Sequence, residues 1–178
     1  MIKKFKKISE EVLHQNPWYA YKHDVFEGND GIQGEYFYAE TPGGVMVVPV
    51  LPSGRIVLVR QYRYLMGKAG MEFPGGGIKV GQTARQAAGI ELKEETGYDA
   101  EELISVAEFE PSKGVIKDTM NIFLAKISQE EPEQAKPELT EAIEVLARFP
   151  DEIEAMIQAG DIWDGETLAA WALVKHRL

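Results

Sequence analysis

The sequence contains no cysteine. Disulfide frameworks and thiolate metal sites are therefore excluded, and a reducing compartment, the cytoplasm, is expected. It also has no uninterrupted apolar run of about 18 residues, so no membrane-spanning helix is expected. Positive charge is in short supply: 19 Lys and Arg stand against 29 Asp and Glu, a net charge of −10. That balance argues against a nucleic-acid binder, which needs a basic footprint. Four lysines fall within residues 1–7, but no apolar run follows them, so this stretch does not read as a secretory leader; it reads as a solvated, frayed terminus. Repeats and a dividing linker are missing too. What remains is a chain of 178 residues with 44% hydrophobic content, enough for one globular domain with a sizeable core. The acidic balance has a second consequence. A phosphorylated ligand would be repelled unless metal ions and local basic residues neutralise its site.

Residues 1 to about 30 are mixed in character. Tyr36 to Glu40 alternates as a strand does. Val45 to Leu51 and Arg55 to Gln61 are β-rich and joined by Pro52-Ser53-Gly54, a hairpin-like turn. A glycine-rich loop follows at residues 75–77. Residues 83–96 have helical periodicity, with Gly97 as C-cap. Further strands are predicted over residues 103–109, 119–127 and 143–149, and a polar loop with Pro132 and Pro137 over residues 128–141. Helices are predicted over residues 151–159 and, capped by Asp164, 165–175. Strands, helix, strands, helices: this order specifies an α/β or α+β chain.

The most informative stretch runs from Gly76 to Tyr98. A glycine-rich turn leads into a helical segment carrying Glu91, Glu94 and Glu95 before Gly97. Residues three and four apart share a helix face, so Glu91 and Glu95 project together with Glu94 beside them. Like charges so placed repel, and a divalent cation with a preference for carboxylate oxygen reverses that repulsion. Acidic residues in isolation are ordinarily solvated surface. Here the spacing of Gly76, Glu91, Leu92, Glu94, Glu95 and Gly97 resembles the Nudix box of Nudix hydrolases, with Tyr98 at its final apolar position. Two positions depart from the box: Gln82 stands where it has its first Glu, and Ile90 where it has Arg.

The resemblance extends over most of the chain and is to the ADP-ribose and nucleoside-diphosphate-sugar pyrophosphatases of that family. It implies the Nudix α/β/α sandwich with a mixed β-sheet, residues 41–178 as the hydrolase domain, and residues 1–40 as an N-terminal segment in contact with a second subunit of a homodimer. Arg63 and Glu72 look like residues that precede the box and serve the substrate. Arginine forks bidentately onto phosphate oxygens, although an edge-strand arginine facing solvent is the other reading. The resemblance makes Glu91, Glu95 and the backbone of Gly75 metal-binding, with Glu94 in support, and Glu141 a further metal ligand or general base. Glycine at 75 allows the close backbone approach this requires. Pro111, Ser112 and Gly114 resemble the loop that follows the box in ADP-ribose pyrophosphatases; Lys113 replaces its second Pro, and Asp118 its usual Glu. Lys113 and Asp118 are therefore candidates for substrate contact. Trp18 and Tyr19 are candidates for stacking on a base, worth roughly 1–3 kcal/mol per base; packing in the core or a dimer is the competing role.

The implied reaction is hydrolysis of the diphosphate bond of ADP-ribose or a related nucleoside diphosphate sugar, giving a nucleoside monophosphate and a sugar phosphate. Magnesium is the expected metal, with manganese as an alternative, and Glu94, Glu95 and Glu141 are the catalytic candidates. The competing reading is a weakened Nudix domain that binds nucleotide-sugars without efficient turnover, prompted by Gln82 and Ile90. Neither nucleic acid nor a membrane is an expected partner.

Overall fold

A computed structural model describes residues 4–136 and 142–178. In chain order its elements are β1 (Lys6–Gln15), β2 (Ala20–Glu27), β3 (Gln33–Glu40), β4 (Gly44–Val50), β5 (Ile56–Arg63), β6 (Lys68–Glu72), β7 (Gly75–Gly77), α1 (Ala84–Thr96), β8 (Ala100–Phe109), β9 (Ile116–Lys117), β10 (Met120–Ile127), β11 (Ile143–Arg148), α2 (Pro150–Ala159) and α3 (Gly165–Val174). They form two compact units: residues 1–43 with 110–119, and residues 44–109 with 120–178.

The larger unit is a mixed sheet in the order β11-β5-β4-β10-β8, with β6 paired to β5 and β7 to β4. Strands β4 and β10 run parallel, and the other pairs are antiparallel. Successive side chains on a strand face opposite sides, and the two sides form two separate cores. Val45, Val47, Val57, Phe123 and Ala125 pack with Ala87, Ala88 and Leu92 of α1. Their neighbours Met46, Val48, Ile56, Leu58 and Ile122 pack instead with Ile153, Ala170 and Trp171 of α2 and α3. The unit is thus a three-layer α/β/α sandwich, and its central strands read as continuous apolar runs because both faces are covered.

Helix α1 begins and ends where its sequence dictates. Thr83 and Gln86 form a reciprocal capping box, and Gly97 closes the helix at φ +77°.

The smaller unit is a four-stranded sheet in the order β1-β2-β3-β9. Here the sequence reading is corrected. Residues 6–15 and 20–27 are two long paired strands rather than mixed chain. Lys7, read as part of a frayed terminus, lies in β1 and pairs with Glu10 at 2.5 Å and Asp24 at 2.7 Å. The pattern was masked because β1 is exposed along its whole length and carries charges on both faces. Lys22 bridges Glu10 and Glu40, and Lys117 of β9 also pairs with Glu40. These pairs hold Glu10 down to about 2, through Lys7 first and Lys22 second, and lower Glu40 as well.

Candidate active site

The glycine-rich stretch at 75–77 is not an open loop. It is strand β7, with Gly75, Gly76 and Gly77 opposite Met46, Val45 and Gly44 of β4. This pairing fixes the backbone directly below α1, and the absence of side chains lets α1 aim two carboxylates at it. Glu95 is buried, 3% exposed, and accepts a 3.0 Å hydrogen bond from the Gly75 N–H. The Glu91 carboxylate occupies the space a Cβ on Gly76 would fill, 2.7–2.9 Å from that position. Two acidic groups one helical turn apart therefore converge on two adjacent glycines.

Glu94, between them, is half-buried, and its carbonyl oxygen accepts from Lys136 N at 2.8 Å.

Arg63 ends β5, and Glu72 ends β6. The Arg63 Nε donates to both carboxylate oxygens of Glu72 at 3.0 Å, and Nη2 donates to one of them. Glu72 is 2% exposed, whereas the Arg63 side chain is 47% exposed. A buried carboxylate thus anchors a half-exposed cation whose Nη1 donors are not used by the pair. Glu72 above all, then desolvation in the opposite sense, then the nearby charges of Glu95 and Asp164 act on Arg63; the net effect raises its pKa. Arg63 consequently stands in the same field as the buried Glu95. Asp164, which the sequence assigned only to capping, contributes from the N-terminus of α3, where it accepts from Thr167 N at 2.7 Å. No spacing signal links residues 63 and 164; only the fold brings them together.

The two departures from the box are both accommodated locally. Gln82 Oε1 accepts from Lys79 N at 3.0 Å and its own N–H donates to Lys79 O, closing a turn. Ile90 lies on the exposed side of α1.

Trp18, Tyr19, Lys113 and Asp118 belong to the smaller unit. Trp18 is 75% exposed, and both Trp18 N and Tyr19 N donate to Asn16 Oδ1 at 2.9 Å. Lys113 lines a cavity of about 440 Å³ with Tyr36, Tyr38, Val115 and Ile116. Tyr36 Oη donates to Gly114 O, tying the 110–114 loop to β3. Asp118 lines a second cavity of about 220 Å³, and among the described residues its buried Oδ1 has no hydrogen-bond partner. Glu141 lies outside the described residues.

The model of the NUDIX domain matches residues 40–170, most of the chain. The protein belongs to the Nudix family. This Nudix domain is 30% identical over 129 residues to the ADP-ribose pyrophosphatase of Bacillus subtilis (strain 168), covering 72% of this chain and 70% of that one. It is also 30% identical over 129 residues to the methanol dehydrogenase activator of Bacillus methanolicus, with the same shares covered. A crystal structure of an ADP compounds hydrolase shares its fold at a TM-score of 0.86 and 22% identity, covering 100% of this chain and 96% of that one. The Nudix assignment makes the protein a hydrolase and gives a reason for the acidic helix face that charge alone did not.

Among the described residues, no three or more His, Asp or Glu side chains form a metal cage of their own. The donor set nevertheless fits a hard divalent cation. Magnesium is commonly held by one or two carboxylates while waters and substrate phosphates complete its shell. Glu91 and Glu95 supply such carboxylates beside the Gly75–Gly76 backbone.

Proposed function

We propose that this Nudix hydrolase cleaves the diphosphate bond of ADP-ribose or a related nucleoside diphosphate sugar, yielding a nucleoside monophosphate and a sugar phosphate. The observation that carries the reading is the convergence of Glu91 and Glu95 on the Gly75–Gly76 backbone, with Arg63 anchored in the field of Glu95. The ADP-ribose pyrophosphatase relative supports the substrate class.

Glu91, Glu95 and the Gly75 backbone would hold magnesium, or manganese in its place. Bound there, a divalent cation draws charge from phosphorus and lowers the pKa of a coordinated water. Arg63 offers its unused guanidinium edge to phosphate oxygens, and Glu72 keeps that edge oriented at little cost on binding. Glu94 supports the carboxylate pair, and Glu141 takes the role of further ligand or general base. Lys113 and Asp118 contact the substrate, a reading favoured by the cavities they line, and Trp18 or Tyr19 stacks on its base. Residues 1–40 contact a second subunit of a homodimer, in keeping with the exposed apolar side chains of β1 and of Trp18. Action in the cytoplasm, without nucleic-acid or membrane partners, is the reading that the lack of cysteine and the net charge of −10 favour.

Hydrolysis of ADP-ribose, ADP-glucose, GDP-mannose and UDP-glucose with magnesium, manganese or chelator tests the proposal. Metal-dependent release of nucleoside monophosphate is expected. The Gln82 amide engaged by Lys79 N and the exposed Ile90 favour a second reading, a domain that retains its ligand. Tight binding of one panel member without product would establish that reading and overturn the first.

A further inference from the structure

Strands β5 and β6 carry a second cation that the box does not involve. Arg63 pairs directly with Lys68, Gln61 with Gly70, and Val59 with Glu72, so these residues share one face of the hairpin. Arg63 reaches Glu72 by running back along the strands past Gly70. Glycine at 70 leaves that space open, and the indole of Trp163 fills it: a Cβ on Gly70 would meet its ring atoms at 2.8–2.9 Å. Trp163 Nε1 donates to Ala69 O at 3.4 Å, which fixes the ring over β6. Lys68 Nζ then lies 4.0 Å from the indole centroid. Both long cationic side chains therefore bend toward Gly70, toward the end of the hairpin that bears Glu72 and leads into Gly75.

The manner of holding decides what Lys68 can do. Lys7, Lys22, Lys93, Lys117, Lys126 and Lys175 each pair with a carboxylate. Lys68 pairs with none among the described residues; its contact is the ring face. An indole orients an ammonium group through its quadrupole without neutralising the charge. In a chain of net charge −10, a cation oriented but left un-neutralised directly across the hairpin from Arg63 is suited to an anion.

We propose that Lys68, oriented by Trp163 across Gly70, is a substrate-binding residue that forms with Arg63 a two-cation clamp on the phosphate groups of the substrate. The inference rests on the proposed hydrolase reading for its substrate and on the hairpin geometry for its residues. The clamp requires three things together: a cation at 68, an aromatic ring at 163 and no side chain at 70.

The test compares wild type with Lys68→Met, Lys68→Arg and Trp163→Leu in ADP-ribose hydrolysis with magnesium. Binding of inorganic pyrophosphate, followed by calorimetry, runs in parallel. Loss of one charged contact to phosphate at an exposed site is expected to weaken binding about tenfold. Lys68→Met is expected to lower kcat/KM about tenfold, mostly through KM, and to flatten the dependence of KM on ionic strength. Lys68→Arg is expected to recover most of the loss, and Trp163→Leu to raise KM about threefold to fivefold. A thermal melt separates misfolding of Trp163→Leu from loss of the clamp. An unchanged KM and salt dependence in folded Lys68→Met would overturn the proposal. If wild type fails to hydrolyse ADP-ribose, the functional reading fails, while pyrophosphate affinity still decides Lys68: about tenfold weaker binding by Lys68→Met supports the clamp, and equal or absent binding rejects it.

Discussion

Alanine at each of the three glycines of β7 perturbs the site in graded fashion. At Gly77 an added Cβ meets nothing within 4 Å among the described residues, so Gly77→Ala is the control. At Gly76 it meets the Glu91 carboxylate carbon at 2.7 Å, and an ordinary contact begins near 3.4 Å, so the carboxylate must retreat by about 0.7 Å. Metal-ligand distances hold to about 0.2 Å, and a misplacement of about 1 Å at a reacting centre costs on the order of 100-fold. Gly76→Ala should therefore lower kcat roughly 30- to 100-fold and shift the magnesium midpoint upward, without altering a charge. Its stability should barely change, because the obstructing group is the end of a side chain: a Tm shift within about 3 °C is expected. At Gly75 the Cβ would overlap the Val45 carbonyl oxygen, which is backbone and cannot swing away. Gly75→Ala should cost about 1–3 kcal/mol and lower Tm by several degrees. Magnesium titrations of ADP-ribose hydrolysis, with thermal melts, check all three. Wild-type rate and magnesium dependence in folded Gly76→Ala would refute the placement of Glu91 as a metal ligand.

Other perturbations test the surrounding frame. Glu72→Gln keeps the shape but removes the charge that anchors Arg63; because Arg63 is half exposed, the stability loss should be only about 1 kcal/mol, and a several-fold rise in KM is the diagnostic result. Gly97→Ala forces an alanine to φ +77° and drives its Cβ into the Glu133 carbonyl oxygen; a loss of at least about 2 kcal/mol in urea unfolding is expected. The pH dependence follows from Glu10, whose pKa is lowered to about 2. Its stabilising contribution is complete above the ordinary value of 4.5 and fades as pH falls toward 2. Lys7 and Lys22 are raised, so their contribution is complete below 10.5 and is lost only in stronger alkali. Near-UV circular dichroism in urea should show Glu10→Gln less stable than wild type at pH 7, with the difference shrinking between pH 4.5 and 2.

Legibility from sequence followed burial. The central strands β4, β5 and β10 are covered on both faces and announce themselves as runs of Val, Ile and Leu; α1 declares its limits through Thr83, Gln86 and Gly97. Strands β1 and β2 carry no apolar period, since β1 is exposed throughout and β2 is half-buried with charges among its apolar residues, and their order comes from ion pairs between residues such as Lys22 and Glu40. Strand β7 has a different reason: glycine has little strand propensity, yet Gly75–Gly77 pairs with β4, and at Gly76 the missing side chain leaves room for the Glu91 carboxylate. The motif pointed to Glu91 and Glu95, and the segments that precede it to Arg63. Lys68 and Trp163 had no such signal, since their relation depends on Trp163, just ahead of α3, coming back onto β6 nearly one hundred positions later in the chain.

Gln82 and Ile90 bear on rate more than on architecture. A carboxylate at 82 and an arginine at 90 would each need a partner, and the protein has dispensed with both. Its helix is held by other means: Arg85 Nη1 donates to Leu103 O at 2.6 Å, Lys93 bridges Asp99 and Glu133, and the capping box fixes the first turn. Restoring the missing pair therefore separates two roles. Gln82→Glu alone should preserve the turn, because a carboxylate accepts from Lys79 N as well as an amide does, so Tm should move by less than about 2 °C. If position 82 matters only for pinning α1, neither Gln82→Glu nor Gln82→Glu with Ile90→Arg should change the rate, since α1 is already pinned. If a third carboxylate near Glu91 and Glu95 strengthens metal binding, both variants should lower the magnesium requirement, and the double variant should gain more as the arginine offsets the added repulsion. The magnesium midpoint, read at matched Tm, distinguishes these outcomes.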